Sequence, residues 1–131
     1  MSQERPSYTL DEARALLPEI RATLLQLALE RRRYAAAHAT LHDRAGEDGD
    51  SQESVAPPGA QAELAAVRDG MHALMEHLEA RGVQVRDLDE GLVDIPTIRD
   101  GEPAWFCWRL ADPQLAFWHT TREGFSSRRP L

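Results

Sequence analysis

The spacing of apolar residues changes once along this chain, at Gly82, and this change constrains the fold more than any other feature. Before Gly82, apolar residues recur every three or four positions, which is typical of amphipathic helices. After Gly82, apolar and polar residues tend to alternate, which is typical of strands with one buried face. The sequence therefore predicts an α+β protein in which a helical region precedes a sheet.

The first helix is predicted over residues 9–44. Thr9 and Glu12 have the spacing of a capping box, in which each side chain accepts a hydrogen bond from the other residue's backbone N–H. Pro18 lies inside the apolar stripe and lacks a backbone donor, so we expect a kink in the helix there.

A second helix is predicted over residues 61–81, and Gly82 is its natural stop. Between the helices, residues 46–60 are rich in Gly, Pro, Ser and acidic residues, and we expect a flexible acidic loop. The two helices then form a long antiparallel hairpin. Gly70 lies inside the second helix, where glycine costs about 1 kcal/mol relative to alanine, and we expect a close approach of the partner helix to explain it.

The hairpin is expected to pack on a small antiparallel β-meander of three or four strands over residues 83–121, followed by an irregular tail over residues 122–131. Asp100-Gly101 is the strongest short signal for a two-residue hairpin turn. Asp112-Pro113 predicts a second tight turn. The whole chain of 131 residues has the length of one domain.

These two turns fix a strand register in which Asp94 faces Cys107, and Cys107 faces Trp118. Side chains alternate between the faces of a sheet, so His119 falls on the core face, opposite to Cys107. That placement argues against a catalytic pair of thiol and imidazole. The face turned away from the helices carries a candidate surface of five residues: Asp94, Trp105, Cys107, Arg109 and Trp118.

Three interpretations of this surface stay open. The tail folds over it and Asp94 pairs with Arg109, or it is a dimer contact, or it is a ligand or reactive site. Arg128 and Arg129 in the tail are candidates for holding a phosphate or carboxylate.

The net charge of −7 argues against nucleic acid as a partner, because binding to phosphates draws on clustered positive charge. The single cysteine fits a reducing compartment. The first residues contain no apolar signal segment, and no apolar run approaches the roughly 20 residues that cross a bilayer. We therefore expect a cytoplasmic protein with no membrane partner.

A metal site is not expected from the sequence. His38 and His42 share one face of the first helix, as two ligands of a metal would. Folding the hairpin brings no third ligand to them, so a solvated face is favoured, and we expect no metal and no cofactor.

Several segments together resemble one known family, the uncharacterised bacterial "domain of unknown function 2203". They are Tyr8-Thr9-Leu10-Asp11-Glu12-Ala13, Gly91-Leu92-Val93-Asp94-Ile95-Pro96, Cys107-Trp108-Arg109, Trp118-His119 and Glu123-Gly124-Phe125. The resemblance implies a bacterial cytoplasmic protein, and it brings no established activity.

Two functional hypotheses follow. The first is an interaction module that is not an enzyme and that forms a homo-oligomer, as a dimer, through its helical hairpin or its aromatic sheet face. The alternative is a small metal- or anion-binding protein or enzyme, with a pocket around Asp94, Cys107, Arg109 and Trp118 and with His119 as a further candidate.

Overall fold

The structure is a computed structural model, and it describes residues 6–47 and 58–131, with the backbone alone at 42–47 and 58. The described residues form two compact units, 6–25 with 76–131 and 26–47 with 58–75. Helices α1 (Leu10–Glu47) and α2 (Pro58–Ala80) precede all the strands. The predicted α+β class is therefore confirmed.

Helix α1 begins with the predicted capping box. The backbone N–H of Thr9 donates to Oε1 of Glu12 over 2.9 Å, and the N–H of Glu12 donates to Oγ1 of Thr9 over 3.2 Å. The helix continues through Pro18 without interruption. The expected kink there stays a prediction.

Helix α2 begins at Pro58, three residues before the predicted start. Of the predicted acidic loop, residues 48–57 lie outside the described part, and the flanking residues are helical. The last helical residue is Ala80, and the predicted stop, Gly82, has a φ of +78°. The N–H of Gly82 donates to the carbonyl of Glu79, and the N–H of Val83 donates to that of Leu78, which is the Schellman arrangement.

The second unit contains one segment of each helix, and the segments run antiparallel. Arg33 lies 4.0 Å from Glu63, whereas Gly70, further along α2, lies beside Glu30, earlier in α1. The expectation of a close helix approach at Gly70 is wrong. A Cβ atom at Gly70 would meet nothing nearer than Oε2 of Glu30, at 4.0 Å.

The sheet has five antiparallel strands in chain order, one more than the upper limit of the prediction. They are β1 (Gln84–Asp87), β2 (Leu92–Arg99), β3 (Glu102–Arg109), β4 (Phe117–Thr120) and β5 (Arg129–Pro130). The additional strand comes from the predicted irregular tail, which also forms a short 3-10 helix over Phe125–Ser127.

The predicted register is confirmed between β2 and β3 and wrong between β3 and β4. Asp94 faces Cys107, and the turn at Asp100-Gly101 has the two positive φ angles of a type I′ hairpin, 54° and 81°. Trp105, however, faces His119. The β3–β4 connection spans residues 110–116, an odd number of residues, which shifts β4 by one position.

This shift exchanges the faces of neighbouring residues in β4. One face of the sheet carries Val93, Ile95, Phe106 and Trp108, all buried, and we call it the helix face. Helix α1 packs against this face, where the guanidinium of Arg21 lies 5.2 Å from the centre of the Trp108 ring. We call the opposite face, which carries Asp94, Trp105, Cys107 and His119, the thiol face.

Candidate functional site

Three adjacent strands place one carboxylate, one thiol and one imidazole together at the centre of the thiol face. Asp94 comes from β2, Cys107 lies opposite to it in β3, and His119 comes from β4. Their ligand atoms all lie within 4.8 Å of one another. We call these three residues the thiol cluster. They expose only 3%, 1% and 2% of their surfaces, respectively, so the cluster is almost completely removed from water.

The imidazole of His119 faces a hydrogen-bond acceptor at each ring nitrogen. Nε2 lies 3.0 Å from Oδ1 of Asp94, and Nδ1 lies 2.7 Å from the backbone carbonyl oxygen of Thr120. A carbonyl oxygen cannot donate, so the ring must donate from Nδ1. This bond fixes the orientation of the ring and aims Nε2 at Asp94.

Cys107 is a protonated thiol at neutral pH. Burial raises the pKa of this thiol to about 11, and the negative charge of Asp94 acts in the same direction, whereas the guanidinium of Arg128 lowers it. A thiol in this state is a weak nucleophile. The structure therefore gives no support to Cys107 as an activated nucleophile by itself.

Arg86 is the second partner of the buried Asp94 carboxylate. Its Nε donates to Oδ2 of Asp94 over 2.8 Å, and its guanidinium carbon lies 5.1 Å from the centre of the Trp105 ring. The pairing of β1 with β2 shifts between Val85 and Asp87, so Arg86 is the extra residue of a β-bulge. Gln84 faces Asp94, so the alternation of side chains along β1 places Arg86 on the thiol face as well.

The predicted pair of Asp94 with Arg109 is wrong, because Asp112 holds Arg109 instead. Oδ1 of Asp112 lies 3.1 Å from Nε of Arg109, and Oδ2 lies 3.2 Å from the guanidinium of Arg128. The indole N–H of Trp108 donates to the backbone carbonyl of Asp112. These contacts fold residue 112 back onto β3, where a tight turn was predicted.

The tail covers the thiol face, as one of the three open interpretations proposed. The guanidinium of Arg128 lies 4.0 Å from the centre of the Phe117 ring and 4.3 Å from that of Phe125. Arg129 pairs with Glu123 within the tail. Neither arginine is therefore an independent anion clamp.

The two tryptophans of the predicted surface lie on opposite faces of the sheet. Trp105 is on the thiol face and only 8% exposed, and Trp118 faces Phe106 on the helix face. The half-buried Trp118 ring has Arg99 at 4.4 Å and Arg129 at 5.4 Å. The prediction of one exposed aromatic surface with both indoles is therefore wrong.

A pocket of about 380 Å³ opens between the bulge of β1 and the tail, and Asp94 forms part of its wall. We call it the tail pocket. Its walls include Arg86, Leu92, Asp94, Trp105, Glu123 and Phe125.

Sequence reasoning missed Arg86, Glu123 and Phe125 as site residues. Arg86 is one of fifteen basic residues, all of them arginines, and no local pattern marks it because the bulge depends on strand pairing. Glu123 and Phe125 belong to a segment that carried the family resemblance, which was the only available signal.

These observations define a small α+β protein with a buried cluster of potential metal ligands beside an open pocket. The chain belongs to the family described as "Uncharacterized conserved protein (DUF2203)", whose model matches residues 7–131. No curated protein and no solved structure matches the chain. Within the described residues, no helix is both long and apolar enough to span a bilayer.

Proposed function

We propose that the protein binds one divalent transition-metal ion of the zinc class at the thiol cluster. The observation that carries this proposal is the convergence of Asp94, Cys107 and His119, each with one ligand atom, within 4.8 Å in a buried setting. Zinc bond lengths of about 2.0–2.3 Å place tetrahedral ligands roughly 3.3–3.8 Å apart. Binding then requires only a small contraction of the cluster.

The hydrogen bonds around the cluster favour an ion at its centre. A histidine that binds a metal through one nitrogen commonly donates its other N–H to a carbonyl oxygen, and His119 donates from Nδ1 to Thr120 in this way. Arg86 donates a hydrogen bond to Oδ2 of Asp94. The other oxygen, Oδ1, faces His119 and is the one that can bind the ion.

The charges of the cluster also suit a divalent cation. A metal-bound cysteine is a thiolate and a metal-bound histidine is neutral. With the Asp94 carboxylate, the three ligands therefore supply two negative charges, which balance a doubly charged ion.

Titration of untagged, chelator-treated protein with Co²⁺ tests the proposal. We expect binding of one ion per chain, with a thiolate-to-cobalt absorption band that Zn²⁺ abolishes by displacement. Cys107→Ser should remove the band, and Asp94→Asn and His119→Gln should each weaken binding at least about tenfold. His72→Gln, on the exposed side of α2, is the matched histidine control.

Saturable binding without the band, or equal binding by wild type and Cys107→Ser, would overturn the proposal. So would the absence of stoichiometric binding by the wild-type protein. Circular dichroism of each variant separates loss of a ligand from loss of the fold.

We also propose, as a second function, that the protein acts as an interaction module that forms a homodimer. Leu25 and Leu29 support it, because each is a large apolar residue of α1 that leaves about half of its surface exposed, 51% and 52%. Light scattering should give twice the mass of one chain. A strictly monomeric protein at tens of micromolar would exclude this proposal.

A further inference from the structure

Arg86 combines three features that are unusual for an arginine on an edge strand. It lies on the thiol face at the point where the pairing of β1 with β2 shifts, Asp94 holds its Nε at 2.8 Å, and its guanidinium stacks 5.1 Å from the Trp105 ring. Its side chain is nevertheless 46% exposed. The guanidinium is thus held in place on one side and open on the other.

The hydrogen-bond inventory of Arg86 leaves donors for a ligand. A guanidinium has five N–H donors in one plane, and Nε is engaged by Asp94. In the described ranges 6–47 and 58–131, its two terminal nitrogens have no hydrogen-bond partner. Arg86 lines the tail pocket, whose volume of about 380 Å³ falls within the range of small-molecule sites.

The carboxylates at the tail pocket are, in contrast, already engaged. Oδ1 of Asp94 lies 3.0 Å from Nε2 of His119, and Oδ2 accepts from Nε of Arg86. Glu123 accepts from Thr120 at Oε1 and from Arg129 at Oε2. Each carboxylate thus already faces donors, whereas the outer edge of the Arg86 guanidinium offers donors that select an acceptor of negative charge.

The tail pocket also has three large apolar or aromatic side chains in its walls, Leu92, Trp105 and Phe125, with Thr121 and Gly124 beside them. Phe125 is 39% exposed and lies on the short 3-10 helix of the tail. Such walls favour a ligand with a flat apolar body.

We propose that the tail pocket binds a small aromatic anion, whose carboxylate or phosphate group accepts hydrogen bonds from the terminal nitrogens of Arg86. Asp94 is a positioning residue in this site, because it holds Nε of Arg86 and leaves the outer edge of the guanidinium free. Neither Cys107 nor His119 lines the pocket, and Asp94 is the only residue that the two proposed sites share.

Calorimetric titration with phenylacetate and phenyl phosphate tests the proposal, with phenylacetamide as the uncharged analogue and acetate as the anion without a ring. We expect both aromatic anions to bind in the millimolar range or tighter, and the amide and acetate to bind at least about tenfold more weakly. The stronger of the two anions identifies which acidic group the site prefers.

Variants of Arg86 provide the specific readout. Arg86→Gln should abolish binding, and Arg86→Lys should weaken it at least about tenfold, because an ammonium group cannot offer a planar set of donors while it is held by Asp94. Arg68→Gln removes the same charge from an exposed position on α2 and should change nothing.

The proposal is overturned if neither aromatic anion binds at about 10 mM, if the amide binds equally well, or if Arg86→Gln behaves like Arg68→Gln. The titrations are made with chelator present. Cys107→Ser should keep the anion and lose Co²⁺, and Phe125→Ala, at the wall of the tail pocket, should weaken anion binding and keep Co²⁺. The failure of one proposal is therefore distinct from the failure of the other.

Discussion

Gly91 lies in the turn that leads into β2, and substitution by alanine there should destabilise the protein through two separable effects. Its φ is +63°, in the left-handed region. A Cβ atom at Gly91 would lie 2.6 Å from both Cγ and Cδ1 of Leu110. Rotation of the Leu110 side chain would not remove the contact completely, because its Cβ would lie 3.1 Å away and its backbone is held by a 3.2 Å hydrogen bond to the carbonyl of Gly91.

The two effects can be estimated from general magnitudes. A left-handed conformation costs alanine about 1–2 kcal/mol, and forcing an extra methyl group into a filled space costs about 1–3 kcal/mol. The restricted unfolded chain offsets about 0.4–1 kcal/mol of this loss. We therefore expect Gly91→Ala to lower the free energy of unfolding by about 2–4 kcal/mol.

Gly101→Ala is the matched control. Its φ is +81°, but a Cβ atom there would meet nothing within 4 Å. Only the backbone effect remains, so we expect a net loss of about 1 kcal/mol.

Urea unfolding followed by tryptophan fluorescence measures both variants, since Trp105, Trp108 and Trp118 all belong to the unit that contains the sheet. Equal losses at Gly91 and Gly101 would refute the proposed clash. So would a Gly91→Ala loss that persists undiminished in a Leu110→Ala background, where the crowding atoms are absent.

Three further predictions concern stability. Gly70→Ala should raise the free energy of unfolding, measured by circular dichroism, by about 0.5–1 kcal/mol, because the added methyl group has space; no gain would contradict this. Burial raises the pKa of Cys107 to about 11, so over a range of alkaline pH the folded protein keeps the thiol proton that the unfolded chain loses. The free energy of unfolding is therefore unaffected by this thiol below the pKa of the unfolded thiol, and it falls as the pH rises from there towards 11. We expect wild type to lose about 1 kcal/mol more than Cys107→Ser between about pH 8 and pH 10, and parallel pH profiles would refute this. The hydrogen bond from Arg81 lowers the pKa of Glu19. The ionised Glu19 carboxylate therefore stabilises the fold above the ordinary pKa of a carboxyl group, and this stabilisation is lost as the pH falls through the lowered pKa of Glu19. Glu19→Gln should therefore cost less than about 1 kcal/mol at pH 7, and urea titrations should show the difference from wild type vanishing in acid; a difference that persists there would count against the pairing.

The features that could be predicted from the sequence are those determined by a few adjacent residues. The capping box at Thr9 and Glu12, the helix stop at Gly82 and the hairpin turn at Asp100-Gly101 each follow from local backbone chemistry. The facing of Asp94 and Cys107 then follows from that one turn. That helices precede strands along the chain was also predictable, because the spacing of apolar residues changes at Gly82.

The features that could not be predicted depend on contacts between distant residues. Asp112 accepts hydrogen bonds from Arg109 and from Arg128, sixteen residues further along the chain, and these bonds shape the β3–β4 connection. The tail strand β5 has only two residues, one of them Pro130, and therefore carries almost no local strand signal. The bulge at Arg86 likewise exists only in the pairing of two strands.

The composition of the thiol cluster shows how these long-range contacts decide the chemistry. Had β4 kept the register of a tight turn, Trp118 would face Cys107 and His119 would lie under the helices. With an odd number of residues in the connection, the imidazole reaches Oδ1 of Asp94 instead.

The same reasoning explains why Asp94 has Arg86 and not Arg109 as its basic partner. Asp112 already engages Arg109, and the neighbouring strand β1 supplies a different guanidinium, that of Arg86, at Oδ2 of Asp94. One carboxylate therefore joins the two proposed sites, with Oδ1 in the thiol cluster and Oδ2 holding the arginine at the tail pocket. Local sequence identifies Asp94 as a site residue, but only the pairing of the strands determines which groups its two oxygens meet.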